Sequence, residues 1–277
     1  MFSASIRSSL ATALILACTG FTPVSAATPS VGAAGAALTP HRAIYDLSLT
    51  KATQIDGVRA AKGTMIYTLT DRCDGYTVES NLQMELAFAN GVDNQVDQRY
   101  AAWEAKDGRS ATFRMQVMEN GSLTKTYQGT ISLEADGSGT ATYETNKPHV
   151  FKLPKGTLLS TQHTLELIRR AAAGDKFVVR PVIDGSFEEG PFMISAVIAP
   201  ARGGPPQAKS GDLADGKFWP MALAYFPLSQ GNETPQYEVN MNMLASGVTR
   251  SMSQDFGAFT LGFDLVSVDP VSGPPCP

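Results

Sequence analysis

The chain is poor in the residues from which most active sites are built, with three cysteines and three histidines among 277 residues. No G-x-S-x-G elbow, H-E-x-x-H helix, G-x-G-x-x-G turn, phosphate loop or C-x-x-C pair occurs in it, which removes the commonest nucleophile, zinc, dinucleotide and redox signatures. His41, His149 and His163 are not spaced with Asp or Glu as metal ligands are. No metal and no cofactor is therefore expected, and the histidines are read as structural or solvent-exposed. Positive charge is also short. Lys and Arg number 22 against 26 Asp and Glu, a net charge of −4, so the chain lacks the basic footprint that nucleic acid requires. Finally, no apolar run reaches the roughly 20 residues that a membrane-spanning helix needs.

What is present begins with an export signal. Arg7 supplies a positive charge, Leu10 to Leu16 a short apolar run, and Val24-Ser25-Ala26 a small-residue cleavage site, the three parts of a secretory signal peptide over residues 1–26. Ile15-Leu16-Ala17-Cys18 offers a competing lipoprotein box that would lipidate Cys18, but Leu16 is bulky where a small residue is preferred. Cleavage after Ala26 removes Cys18 and leaves Cys73 and Cys276. An even count in an oxidising compartment reads as one disulfide. A periplasmic location follows as the expectation.

Residues 27–39 are small, uncharged and Pro/Gly-containing and read as a flexible leader. From residue 40 the pattern changes to period-two alternation, which puts one set of side chains on each face of a strand. Val78, Leu82, Met84, Leu86 and Phe88 share one face and Glu79, Asn81, Gln83 and Glu85 the other; Phe113/Met115/Val117 and Tyr237/Val239/Met241/Met243 repeat the pattern. Asp-Gly or Asn-Gly pairs at 56, 74, 90, 107, 120 and 136 then mark hairpin turns. The second half is less regular, with a loose Gly/Pro loop over 203–211.

One segment breaks the strand pattern. Ser160-Thr161 provides a helix cap, Leu165, Ile168 and Ala172 form an apolar stripe, and Gly174 stops the helix. The fold class is thus mostly β: an antiparallel meander of long hairpins curled into a β-spiral or half-barrel around one crossover helix at about 160–173. A single domain over 40–277 is expected, with strands at about 40–152, the helix, strands at about 175–268 and a tail at 269–277.

Aromatic and methionine residues are the remaining functional candidates, since binding pockets are mostly apolar with a few polar groups. Trp103, Phe218, Trp219, Tyr225, Phe226, Met241 and Met243 are candidate pocket lining, with core packing as the competing reading. Glu188-Glu189 sits beside Gly and Pro and reads as a solvated turn. No catalytic residue is assigned.

The opening strand His41-Arg42-Ala43-Ile44-Tyr45-Asp46-Leu47, the Cys73-Asp74-Gly75 hairpin and a last cysteine almost at the C-terminus resemble the EipB-like periplasmic cell-envelope-integrity proteins. The resemblance implies a β-spiral of about fourteen strands around a helix, a bowl-like cavity, and Cys73–Cys276 as a structural bridge. It implies an envelope role without enzymatic activity, exercised through protein partners such as a periplasmic helical-repeat protein. A periplasmic lipid or lipoprotein carrier using an apolar concave face is the alternative, and an unrecognised hydrolase the third.

Overall fold

The computed structural model describes residues 37–53, 57–145, 147–204, 212–229 and 234–276. The signal peptide, the leader up to residue 36, Asp56 and most of the 203–211 loop lie outside the described residues. Among those described, fifteen strands form one sheet around one α-helix. In chain order the first eight are β1 (His41–Ala52), β2 (Val58–Asp71), β3 (Gly75–Phe88), β4 (Asp93–Ala105), β5 (Ser110–Glu119), β6 (Ser122–Leu133), β7 (Gly139–Glu144) and β8 (His149–Leu153). The two-residue β9 (Leu158–Leu159) leads into α1 (Ser160–Ala173). Then follow β10 (Phe177–Ile183), β11 (Phe192–Ile198), β12 (Phe218–Pro227), β13 (Tyr237–Leu244), β14 (Thr249–Asp255) and β15 (Phe259–Pro270).

The strand order across the sheet is β8 to β1 in descending number, followed directly by β15 to β9. Hairpins carry the chain outward from the central β1 to one edge at β8. The chain then crosses to the opposite edge, where β9 pairs with β10 in parallel, and returns by hairpins until β15 closes against β1. Every other neighbouring pair is antiparallel. The sheet is not closed by a strand pair between its two edges, so it is a half-barrel.

Strand positions follow the alternation in the sequence. Val78 and Leu86 of β3 are buried while Glu79, Asn81, Gln83 and Glu85 are exposed. Turn chemistry agrees at Gly91, Gly108, Gly121 and Gly137, all at positive φ, the conformation that glycine adopts without strain. The turn between β2 and β3 differs from expectation. Gly75 is already in the strand, and the left-handed residue is Cys73, with φ 69°, its N–H held by the Asp71 carboxylate at 2.8 Å.

The helix runs over the expected residues and stops at Gly174 in the left-handed conformation. Its cap and its buried face depart from expectation. Neither Ser160 nor Thr161 is the N-cap: that position is Leu159, which makes no side-chain cap bond. The buried stripe is Thr161, His163, Leu167, Ile168 and Ala171 rather than Leu165, Ile168 and Ala172, because a polar lining and not a dry core faces its first turn. Glu166 ties the other side down, pairing with Arg169 and Arg170 on the helix and with Arg180 of β10 at 3.1 Å. The folded domain also starts earlier than the leader reading allows: Leu38 is buried under Gly247, and the Thr39 N–H bonds the Ser246 carbonyl at 2.9 Å.

Candidate functional site: a cavity under the helix

Side chains from β1 to β5, from β10 to β14 and from the first turns of α1 border one cavity of about 370 Å³. A flat sheet cannot bring strands so far apart in its order to one cavity. The curl does so, with the helix laid across the inner face. The volume falls in the lower part of the range of roughly 300–1,000 Å³ typical of small-molecule sites.

The loop between β10 and β11 closes the cavity on one side. Asp184 accepts from the Ser186 N–H at 2.8 Å and from its hydroxyl at 2.7 Å, which folds the loop into a tight turn. Tyr100 of β4 donates to the Asp184 carbonyl at 2.5 Å, and Tyr127 of β6 donates to the Ser186 carbonyl at 2.6 Å. This loop therefore bridges the two wings of the open sheet. Gly185 permits the approach: its φ is 80°, and a Cβ there would lie 2.2 Å from the Phe113 ring. Behind the loop, Phe187, Phe192, Tyr225 and Tyr237 stack into an aromatic wall, with Tyr225 and Tyr237 centroids 4.3 Å apart.

The walls are apolar with a polar pole. Met65, Met115, Met241, Met243 and Met252 line the cavity, half of the chain's ten methionines, with Tyr45, Tyr67, Tyr100 and Tyr225 beside them. Ser160, Thr161, His163 and Thr164 of the helix and Asp184 and Ser186 of the loop supply the polar side. Behind them Glu104, only 1% exposed, accepts from the Thr161 N–H at 2.8 Å and hydroxyl at 2.5 Å. It serves as the helix cap that the local sequence does not provide.

Burial sets the charge state of these groups, because a low-dielectric surrounding disfavours the charged form. Desolvation raises Glu104 to about 7, lowers His163 to about 4 and lowers His41. Asp184 is raised for the same reason, against the hydrogen bonds from Ser186. His163 Nε2 has no hydrogen-bond partner among the described residues. His41 donates from Nδ1–H to the Thr39 carbonyl at 2.7 Å.

Of the seven candidate lining residues, Tyr225, Met241 and Met243 border the cavity and the other four do not. Phe218 and Phe226 occupy the strand positions opposite in parity to Leu223 and Tyr225 and so face outward; Phe218 carries the Arg250 guanidinium over its ring at 5.1 Å. Trp103 likewise alternates with Ala102 and Glu104 and covers Gly75 on the other face. Trp219 has the inward parity but packs into the core beyond the cavity. His41, His163 and Asp184 border the cavity although nothing in their local sequence marks them as lining, and so does Tyr100, an aromatic residue as ambiguous between core and pocket as Trp103. Inward parity on strands already recognised was the one signal available for Tyr100.

Cys73 and Cys276 are bonded to each other, with Cα atoms 5.5 Å apart across a separation of 203 residues. The tail before Cys276 is pressed on the end of β2, where a Cβ on Gly273 would meet the Asp71 carbonyl oxygen at 2.2 Å.

An open, almost wholly antiparallel sheet curled around one helix, with a half-open polar-apolar cavity between them, defines a β-barrel-like fold. The chain belongs to the EipB-like family, whose model matches residues 32–272. It is 30% identical over 247 residues to the cell envelope integrity protein EipB of Brucella abortus (strain 2308), covering 86% of this chain and 88% of that protein. The crystal structure of a β-barrel-like protein from Brucella abortus, described as a domain of unknown function, superposes with a TM-score of 0.78 at 28% identity. That match covers 85% of this chain and 99% of the other.

Proposed function

We propose that the chain is a periplasmic, non-catalytic protein that supports cell-envelope integrity by binding, with the cavity under the helix as its working site. The observation that carries this reading is the cavity lining: five methionines and four tyrosines surround a few hydroxyl groups, and the Ser186 hydroxyl, which donates to Asp184 at 2.7 Å, closes that residue's own turn. Adaptable apolar walls suit holding a molecule. An acyl-transfer or hydrolytic site needs instead a nucleophile presented to the substrate with a base free to take its proton. Kinship with a protein named for envelope integrity supports the physiological role.

A second reading adds a protein partner. Phe177 and Val197 are paired across β10 and β11 and are 59% and 53% exposed, with Val179 beside them. Exposed apolar side chains grouped on one face favour contact with another protein, and a periplasmic helical-repeat protein is the partner the family resemblance implies.

Complementation tests the binding reading. In a strain lacking the gene, the wild-type chain restores resistance to detergent, and a folded His41→Asn/His163→Gln variant restores it as well. A folded cavity-filling Met241→Trp variant does not. Full protection by the filled variant with loss in the histidine variant would reverse the assignment toward catalysis.

A further inference from the structure

Resting on the binding role proposed above, we infer that the cavity takes an uncharged, single-chain amphiphile: one aliphatic chain bearing a neutral, hydroxyl-rich headgroup. Three observations select this chemistry.

The first is charge. Among the described residues, the cavity is lined by no lysine and no arginine, while it carries the Asp184 carboxyl and is backed by Glu104. Arg180, whose charge is felt at His163, is committed to Glu166 at 3.1 Å. Both lining histidines are held neutral by burial near pH 7. A carboxylate or phosphate headgroup would thus be desolvated beside carboxyl groups with no cation to offset it, which is strongly unfavourable in a low-dielectric site.

The second is the placement of hydroxyl groups. Ser160, Thr164, Ser186 and Ser80 border the cavity together with Gln98. Thr164 and Ser186 already donate, to the Ser160 carbonyl and to Asp184, and keep their oxygens as acceptors, while Ser80, Ser160 and Gln98 carry donors as well as acceptors, a mixture that suits a polyol or ester headgroup better than a bare ion. His163 stands beside them with an unpartnered Nε2 and is 5% exposed, a buried polar atom whose desolvation is uncompensated within the chain.

The third is volume and shape. About 370 Å³ is small for a two-chain phospholipid but fits the lower range of single small ligands. The five methionines that line it are unbranched and polarisable, able to follow a flexible chain through its rotamers.

The test titrates the full mature chain with monolauroylglycerol and with laurate, matched in chain length, below their aggregation concentrations and near neutral pH. Calorimetry is expected to give one monolauroylglycerol per chain, bound at least about tenfold tighter than laurate. Met241→Trp and, as a second filling variant, Leu223→Trp abolish that binding while each keeps a cooperative melt. Asp184→Asn, which retains the oxygen that accepts from Ser186, raises laurate affinity several-fold. Laurate binding as tightly as the neutral probe, absence of neutral binding, or neutral binding untouched by both tryptophan variants would each overturn the inference. If the probes fail while the filled variants still lose envelope protection, the ligand assignment falls and the binding role stands. If the filled variants protect fully, the binding role falls.

Discussion

Glu104, at the end of β4, holds the first turn of α1 by accepting two hydrogen bonds from Thr161. A helix N-terminus has N–H groups without intrahelical partners, and the usual remedy is a side chain at the N-cap. Here Leu159 fills that position, so the cap comes from a strand 57 residues away in sequence. Glu104→Ala leaves both Thr161 donors unpaired in a buried place and is expected to cost about 2 kcal/mol in denaturant unfolding. Glu104→Gln keeps an acceptor and costs less.

The same residue gives a pH dependence with a defined sign. Burial moves its carboxyl from an ordinary 4.5 to about 7 in the folded state, so between those values the folded chain binds a proton that the unfolded chain has released. The stabilisation is complete below pH 4.5 and is lost as pH rises through 7. Relative to Glu104→Gln, which does not titrate, the wild type is expected to lose on the order of 3 kcal/mol across that window. Parallel stability curves for the two proteins would contradict this assignment.

The Cys73–Cys276 bridge is expected to stabilise without serving chemistry. Closing a loop of 203 residues is worth about 5 kcal/mol in the chain-entropy treatment, an upper value. Beyond β15 the tail makes a Val271 N–H bond to the Pro40 carbonyl at 3.3 Å, too little to hold a proline-rich end alone. Cys73→Ser, Cys276→Ser and the double variant should therefore lower the melting temperature equally. A melting point indifferent to reductant would show the bridge to be idle.

Gly185 lets the loop between β10 and β11 rest against the Phe113 ring. Gly185→Ala places a methyl group against the Phe113 ring at a φ of 80°, with an expected loss of about 1–3 kcal/mol. Coupling to Phe113 should appear in a double-mutant cycle, with Phe113→Leu relieving part of the loss. Additive losses would mean that the loop does not rest on that ring.

Much of this fold was legible from local chemistry. Val78 to Phe88 showed its two faces, and the limits of α1 followed from the pattern ending at Gly174. What local pattern does not encode is long-range pairing. That β1 lies at the middle of the sheet beside β15 depends on contacts more than 200 residues apart, and nothing around His41 announces it. The cap of α1 by Glu104 was hidden for the same reason, since a lone Glu among strand residues reads as solvent-facing. Trp103, Phe218 and Phe226 misled because bulk was weighed without parity: Phe218 and Phe226 lie on the same strand as Tyr225 but on its other face, whereas Trp219 has the inward parity and packs into the core instead. Asp184-Gly185 was recognised as a turn, yet its inward course depends on Tyr100 and Tyr127, which reach it from the opposite wing.

Export is tested by intact mass. The mature chain is expected to begin at Ala27, because Val24-Ser25-Ala26 satisfies the small-residue rule at the end of the signal. A diacylglyceryl mass on Cys18 would place the protein on a membrane surface instead.

The binding role itself is tested most directly by native mass spectrometry of the wild-type chain and Met241→Trp, each released gently from the cells that made it. The wild type is expected to carry a discrete small-molecule mass above that of the polypeptide, and the filled variant to fly without it. Wild-type protein that is bare under conditions preserving other periplasmic complexes, or an identical added mass on both proteins, would contradict a binding role for the cavity.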